Sequence, residues 1–316
     1  MLEVEHLTRR YGPITAVDDI SFQTRSGEIL GFLGPNGAGK TTTMRMITGY
    51  LPPTSGEVRI EGVGLRRDPL AAKRKIGYLP ELPPLYPELT VRDYLRFVAR
   101  LRQVPSRERK GAVDRALERC ALKDVSERVI GRLSKGYRQR VGIAQAILHN
   151  PRLLIFDEPT AGLDPRQILE TRQLIRGLAG DHTVILSTHI LSEAANTCQR
   201  VIIINRGKLV AVDSPENLTR RVKQTDSLLI ELRGSGVDAQ AAIASLPGVV
   251  KVEVLGEQDG IARLRVESKD LATREAIARA LVQAGYGLLE LKQIELTLEE
   301  IFLSLTGSTL PAAASA

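Results

Sequence analysis

Apolar and polar residues alternate in two different ways along this chain, and the change between them marks its organisation. The first third reads as strands and turns, in "LEVEHLTRRYG", "DISFQT", "EILGFLG" and "GEVRIEG". From about residue 68 to 150 apolar residues recur every three or four positions, as in "VRDYLRFVARL" and "AVDRALERCAL", which predicts helices. Continuous apolar runs bounded by turns and helices follow, in "LLIFDE", "TVILSTH" and "RVIIINRG". Such runs alternating with helices indicate a parallel sheet covered on both faces.

The pattern changes again near residue 212. The polar stretch "VDSPENLTRRVKQTDS" reads as a connector, with the linker proper over 216–227. Beyond it, "LLIELRG" predicts a strand, "DAQAAIASLPG" a helix, and "VVKVEVLGE" and "IARLRVESK" two strands around a Gln-Asp-Gly turn. "LATREAIARALVQAG" then predicts a helix and "YGLLELKQIE" a strand. The order β-α-β-β-α-β is that of a ferredoxin-like α+β module. "TLEEIFLSLTG" predicts a last amphipathic helix capped by its first threonine with Glu300 three places on, and "STLPAAASA" a disordered tail. The expected division is a first domain over 1–215 with a helical part at about 88–148, a second over 228–307, and a tail over 308–316.

Composition adds limits. The 316 residues are 43% apolar and 26% charged, ordinary for a globular chain of about two domains. No stretch reaches the roughly eighteen consecutive apolar residues of a membrane helix, and "MLEVEHLTRRYG" lacks the apolar segment of a secretory signal, so a cytoplasmic chain is expected. Cys120 and Cys198 lie far apart without a CxxC pair, which fits small buried side chains better than a metal or disulfide role. The net charge of +7 is scattered, aromatic residues make up 4%, and no nucleic-acid-binding signature is present, so no nucleic-acid partner is expected.

Three motifs carry chemistry. "GPNGAGKTT", residues 34–42, follows an apolar strand and opens a helix. Gly34, Gly37 and Gly39 let the backbone between them, at Pro35, Asn36 and Ala38, curl so that N–H groups face a triphosphate, and the helix starting at Lys40, Thr41 and Thr42 adds its positive end. Lys40 can reach the β- and γ-phosphates, and the Thr41 hydroxyl can ligate Mg²⁺. "LLIFDEPT" is a buried strand ending in Asp157 and Glu158. At the carboxyl end of a parallel sheet both acids face the ligand, Asp157 suited to supporting Mg²⁺ and Glu158 to polarising water. In "LSKGYRQR", Ser134 and Gly136 start a helix that is either another anion site or an ordinary capped helix; local physics alone favours the capped helix.

The combination resembles the ATP-binding subunit of a bacterial ABC transporter. "GPNGAGKTT" resembles the family's Walker A, "LSKGYRQR" (Ser134, Lys135 and Gly136) its signature, "LLIFDE" its Walker B, "AGLD" with Asp164 its D-loop, and His189 in "LSTHI" its switch histidine. Tyr11 stands where the family stacks an aromatic ring on adenine. His6, His149 and His182 have no motif around them. The likeness covers about residues 1–215 in family order. It implies a P-loop domain with a mainly parallel sheet, an antiparallel β subdomain and a helical subdomain, with ATP and Mg²⁺ as ligands. It also implies two copies packed head to tail, so that Ser134 and Gly136 of one complete the γ-phosphate cage of the other. A separate transmembrane permease would be the partner, and the chain would sit peripherally on the inner face of the membrane. The ending "LTLEEIFLSLT" and the phrase "YLPELPPLYPELTVRDYL" most resemble export systems of the gliding-motility and multidrug type.

Rival readings fare worse. A soluble relative acting on ribosomes or DNA would pair two nucleotide-binding units or carry a long coiled-coil insertion, and neither pattern is present. A small-molecule kinase or a GTPase lacks the signature, D-loop and switch histidine. One departure from the family stands out. "IGYLPE" places Glu81 where the family has a glutamine touching Mg²⁺ and the attacking water. A carboxylate can ligate Mg²⁺ but adds negative charge beside a triphosphate. The four prolines between residues 80 and 87 fix φ, which predicts a stiff ledge for a partner's helix.

Overall fold

The unbroken apolar runs are buried along their whole length, as strands covered on both faces must be. The computed structural model describes residues 1–222, 226–269 and 272–294, which divide after Pro215 into two units. In the first, β1 (Leu2–Tyr11) and β2 (Ile14–Gln23) pair antiparallel. After β3 (Ile29–Leu33) and α1 (Lys40–Ile47), β4 (Ser55–Ile60) and β5 (Val63–Gly64) complete a four-stranded sheet of order β2-β1-β4-β5.

The second sheet follows from α2 (Pro69–Arg74), β6 (Ile76–Leu79), α3 (Val91–Leu101), α4 (Ser106–Arg119), α5 (Lys135–Ile147) and β7 (Leu153–Asp157). It is completed by α6 (Pro165–Arg176), β8 (Thr183–Thr188), α7 (Leu191–Thr197), β9 (Arg200–Asn205) and β10 (Lys208–Asp213). The order is β10-β9-β3-β8-β7-β6. Every pair is parallel except β9–β10. The carboxyl ends of β3, β7 and β8 therefore lie side by side, and the residues after them share one edge of the sheet.

The helices between β6 and β7 form because their apolar residues make one stripe. On α3, Val91, Tyr94, Leu95, Val98 and Ala99 are buried, spaced as one helical face. Starts are fixed by side chains. Thr90 accepts from the Asp93 N–H (3.1 Å) at α3, and Asp164 from the Gln167 N–H (2.9 Å) at α6. The proline-rich segment before α3 is tied down rather than loose. The Tyr94 hydroxyl donates to the Pro84 carbonyl (3.2 Å), Gly131 N–H to that of Pro87 (2.8 Å), and the Tyr86 ring meets those of Tyr94 and Phe97 edge-on. A Cβ on Gly142 of α5 would lie 3.0 Å from the Pro83 side chain, so glycine there lets α5 press against the segment. Leu82 and Tyr86 nonetheless stay exposed, at 80% and 47%.

A linker expected over 216–227 is corrected. Pro215–Val222 is a helix, α8, with Leu218 fully buried, and the next strand starts at Asp226. Pro215 supplies the fixed φ that suits a first helical turn, so much of the polar stretch is helical.

The second unit runs β11 (Asp226–Arg233), α9 (Gly236–Ala244), β12 (Val249–Gln258), β13 (Ile261–Ser268), α10 (Ala272–Gln283) and β14 (Gly287–Ile294). Its sheet is antiparallel, of order β12-β13-β11-β14. Leu228, Ile230, Leu232, Leu264 and Val266 point to one face, packed with Ile243, Ile277 and Leu281 from the helices. Asp259 and Gly260 turn the β12–β13 hairpin with positive φ at both (53° and 73°), the geometry a two-residue turn needs. This is the expected ferredoxin-like module. The amphipathic helix expected at 297–307 and the tail at 308–316 lie outside the described residues. Among the described residues no helix is long and apolar enough to cross a membrane.

Two glycines separate close packing from open space. A Cβ on Gly77 in β6 would overlap the Ala146 carbonyl oxygen of α5 and reach within 2.6 Å of the Leu154 side chain. One on Gly111, inside α4, meets only the end of the Arg115 side chain at 3.2 Å. Gly77→Ala is expected to destabilise the fold by about 2 kcal/mol through overpacking. Gly111→Ala is expected to stabilise it by roughly 0.5–1 kcal/mol through helix propensity. Urea midpoints of the two variants, moving in opposite directions from wild type, check both.

Candidate functional site

The loop after β3 is shaped by what its backbone must avoid. Gly39 holds φ at 106°, and a Cβ there would come within 2.6 Å of the Ala16 carbonyl oxygen; a Cβ on Gly34 would overlap the Ile204 carbonyl oxygen. Only glycine fits both positions. The loop leads straight into α1, whose first turn has neither a side-chain cap nor an acidic residue, so its N–H groups and positive end stay available.

Lys40 begins α1 and is buried. Its ammonium donates to the carbonyls of Gly34 (2.8 Å) and Pro35 (3.3 Å) and pairs with Glu158 Oε1 at 3.4 Å. Asp157, the last residue of β7, is 1% exposed; it accepts from the Ser187 hydroxyl and, at 3.4 Å, from the Thr41 hydroxyl. Burial pushes its carboxyl above the usual carboxylate range, and the charges of Glu158 and Glu81 push the same way, while the hydrogen bonds from Ser187 and Thr41 oppose them.

Glu158 sits in the left-handed region at φ 49°, a conformation that glutamate rarely adopts and that its surroundings must hold. Its N–H is shared between the Ser187 carbonyl (3.2 Å) and hydroxyl (3.1 Å) on β8. The carboxylate spans Lys40 through Oε1 and the His189 imidazole through Oε2, 2.9 Å from Nδ1. An ionised carboxylate only accepts, so in this contact Nδ1 carries the proton. His189 follows directly on β8, which is why it reaches the acid at the end of neighbouring β7.

Lys40, Thr41, Glu158 and His189 line a cleft of about 260 Å³ with Asn36, Gly37, Gly39, Thr42, Glu81 and Ala161, and Asp157 adjoins it through the bond from the Thr41 hydroxyl. The structure thus brings the loop, the acids after β7, His189 and Glu81 together, and places Pro35 and Ala38 within the loop itself. Tyr11, at the end of β1, is outside the lining and half exposed, with the Arg9 guanidinium 4.7 Å from its ring centre. Ser134, Gly136 and Asp164 line a separate hollow of about 370 Å³ with Tyr137, Arg140 and Gln167. There Ser134 caps α5 by accepting from the Tyr137 N–H at 3.4 Å. A Cβ on Gly136 would meet the Gln167 side-chain oxygen at 2.5 Å, and the Lys135 ammonium lies against Gly162.

The donors around Thr41 fit a small hard cation. Its hydroxyl and the Asp157 carboxylate adjoin, Glu81 is close, and every donor is oxygen. Among the described residues no three His, Cys, Asp or Glu side chains form a protein-only metal cage. Mg²⁺ keeps several waters and takes one or two carboxylates beside substrate phosphates, and the oxygens of Thr41, Asp157 and Glu81 are donors of that kind.

Ser187 was not found from the sequence. It ties Asp157 and Glu158 to β8, and its only trace is a polar Ser-Thr pair ending an apolar strand immediately before a histidine.

Comparison with known proteins agrees with this geometry. The ABC transporter family model matches residues 17–161. The chain is 36% identical over 312 residues to the bacitracin transport ATP-binding protein BcrA of Bacillus licheniformis, covering 97% of each. It is 35% identical over 318 residues to the linearmycin resistance ATP-binding protein LnrL of Bacillus subtilis, covering 98% of this chain and 99% of that one. A solved ATP-binding subunit of an ABC transporter superposes with a TM-score of 0.64 at 32% identity, over 70% of this chain and 93% of that one. A dimeric ATP-binding cassette in a post-hydrolysis state, bound to ADP and Pi, gives 0.62 at 26% identity over 68% and 98%. Alike in sequence over almost its whole length and in fold over 70% of it, the chain belongs to the ATP-binding subunits of the ABC transporter family, and it is an ATPase.

Proposed function

We propose that this ATPase powers a separate membrane-embedded permease, as one half of a head-to-tail pair that closes on two ATP molecules, and that the transport is export. The observation that carries the reading is the separation of two surfaces on one chain. Lys40, Thr41, Glu158 and His189 meet at one cleft, with Asp157 joined to it through the Thr41 hydroxyl, while Ser134 and Gly136 line another hollow that shares no residue with it. A nucleotide caged by both sets needs two copies. The resistance and antibiotic-transport relatives favour export, and the half-exposed Leu82–Tyr86 ledge favours a partner helix docking beside Glu81. The inner face of the membrane is then the place of work.

Each residue has a role in this reading. Tyr11 stacks on adenine. The N–H groups from Gly34 through Thr42, with the intervening Pro35, Asn36, Gly37, Ala38 and Gly39 shaping the loop, cradle the phosphates, and the Lys40 ammonium turns from Glu158 toward them. Thr41 and Asp157, with Glu81 beside them, hold Mg²⁺. A bound Mg²⁺ supplies charge neutralisation at the phosphate oxygens. Glu158 takes a proton from water as the water oxygen bonds to the γ-phosphorus and the bond to ADP breaks, releasing ADP and phosphate. His189 orients Glu158 and meets the γ-phosphate. Ser134, Lys135 and Gly136 close the cage from the other copy, and Asp164 shapes the turn between the two surfaces.

Glu158→Gln is expected to bind ATP, to accumulate as an ATP-bound dimer on size-exclusion chromatography, and to lose turnover by about 10²-fold or more. Brisk hydrolysis by this variant would remove Glu158 from the role of base. Glu81→Gln takes a negative charge from beside the triphosphate. A KM for Mg-ATP lower by about two- to fivefold is expected, the scale of an exposed charge interaction, and an unchanged KM and Mg²⁺ dependence would make Glu81 neutral. Co-expression with a membrane protein of about six spans encoded next to it is expected to move the chain into the membrane pellet. Sedimentation with ribosomes in the absence of membranes would contradict the permease reading.

A further inference from the structure

Glu193 is a buried carboxylate with no part in the roles above. It lies in the first turn of α7, 2% exposed. A glutamate at this place usually turns back to the N–H that precedes its helix. Here that N–H, of Ile190, is taken by the Thr188 hydroxyl at 3.0 Å, and Glu193 reaches elsewhere. Its Oε2 accepts from two hydroxyls, Thr160 at 2.8 Å and Thr188 at 3.1 Å. Its Oε1 faces the Arg172 guanidinium of α6 at 3.3 Å, which supplies the counter-charge a buried carboxylate needs.

The two hydroxyls come from the segments that carry the reacting pair. Thr160 stands two residues after Glu158, and Thr188 one residue before His189. We propose that Glu193 is a positioning residue for hydrolysis: its shared oxygen fastens the turn after Glu158 to the end of β8 and so sets the Glu158–His189 contact. This rests on the reading of Glu158 and His189 given above.

The strained backbone of Glu158 shows why such a fastening is needed. With φ at 49° the residue is held on one side by its N–H to Ser187. On the other side the chain turns through Ala161 N–H to the Glu158 carbonyl (3.1 Å), and within that turn the Thr160 side chain is anchored to Glu193. Hydrogen bonds to a charged acceptor are about twice as strong as neutral ones. Two of them converging on one oxygen lock the ends of two strands together, where either strand alone leaves a free hydroxyl. A misplacement of 1 Å at a reacting pair is enough to slow chemistry on the order of a hundredfold.

The test uses the full chain. Thr160→Val keeps the shape and removes one donor, Thr160→Ser keeps the donor, and Glu193→Gln removes the charge. Thr160→Val and Glu193→Gln are expected to lower kcat by about tenfold or more, with KM for ATP within about twofold of wild type. Thr160→Ser is expected to restore kcat, and the double variant to be no slower than the worse single one, as for groups acting through one contact. The ring signals of His189 in NMR spectra, assigned by their loss in His189→Asn, are expected to move in both variants toward their positions in Glu158→Gln. An unchanged kcat, or ring signals that stay in place, overturns the proposal and leaves Glu193 a packing residue whose loss lowers only the melting temperature. Full turnover by Glu158→Gln marks failure of the base assignment instead, and the ring signals still report whether Glu193 sets the contact.

Discussion

The buried ammonium of Lys40 is the charge on which the rest of the site depends. A lysine 6% exposed needs partners, and here they are two loop carbonyls and the Glu158 carboxylate. Around it stand three carboxylates, Asp157, Glu158 and Glu81, so acids outnumber the cation before any phosphate arrives. Asp157 is affected chiefly by its own burial, with Glu158 and Glu81 adding to it. Its folded carboxyl binds a proton more tightly than an unfolded one, because burial and its acidic neighbours disfavour the ion. As pH rises above the ordinary carboxylate value, carrying Asp157 ionised therefore lowers stability, and a cation at that carboxylate recovers the loss. On the proposed reading the Lys40 ammonium would turn from Glu158 to the phosphates, Asp157 would help hold Mg²⁺, whose charge would offset its own, and Glu158 would be left to face water.

The sheet order makes this arrangement possible. β7 lies next to β8, and β8 next to β3, so the loop, the acidic pair and His189 emerge from three neighbouring strands. Parallel pairing puts all three exits on the same edge. The left-handed turn at Glu158 then swings its carboxylate between Lys40 and His189, and Ser187 on β8 takes the N–H that the turn exposes. The strain is local, held on one side by the N–H bonds to Ser187 of β8 and on the other by the Ala161 N–H that returns to the Glu158 carbonyl.

Much of this was legible in the sequence where one segment carries its own signal. "EILGFLGPNGAGKTT" shows strand, loop and helix in one run, "LLIFDE" shows where its acids must point, and the Asp-Gly hairpin of the second unit is written in two residues. What escaped depends on side chains that meet across long separations. Ser187 and Asp157 are 30 residues apart, and Thr160 and Glu193 are 33 apart. Ser187 reads as the polar end of an apolar strand, and Thr160 and Glu193 as ordinary loop and helix residues, until the strands are set side by side. The helix at Pro215–Val222 escaped for another reason: a proline amid polar residues suggests a break, yet proline is equally at home in a first helical turn.

Helix α5 joins the two ends of the problem. Its thirteen residues span about 20 Å at 1.5 Å per residue. Ser134 caps one end, at the hollow away from the nucleotide cleft. Two turns further along, Gly142 lets the helix close onto Leu79 and Pro83, the root of the proline-rich ledge that carries Glu81. The prolines and the Tyr94 hydrogen bond leave that ledge little freedom to deform by itself. A partner docking on Leu82 or Tyr86 would therefore bear on α5 and Glu81 together. On the proposed reading, one end of this rigid path meets the permease, the other closes the partner copy's nucleotide, and Glu81 lies where the path touches its own. Glu81 at that junction lines the cleft and its charge acts on Asp157, so on the same reading the ledge would respond to the charge of whatever the cleft holds.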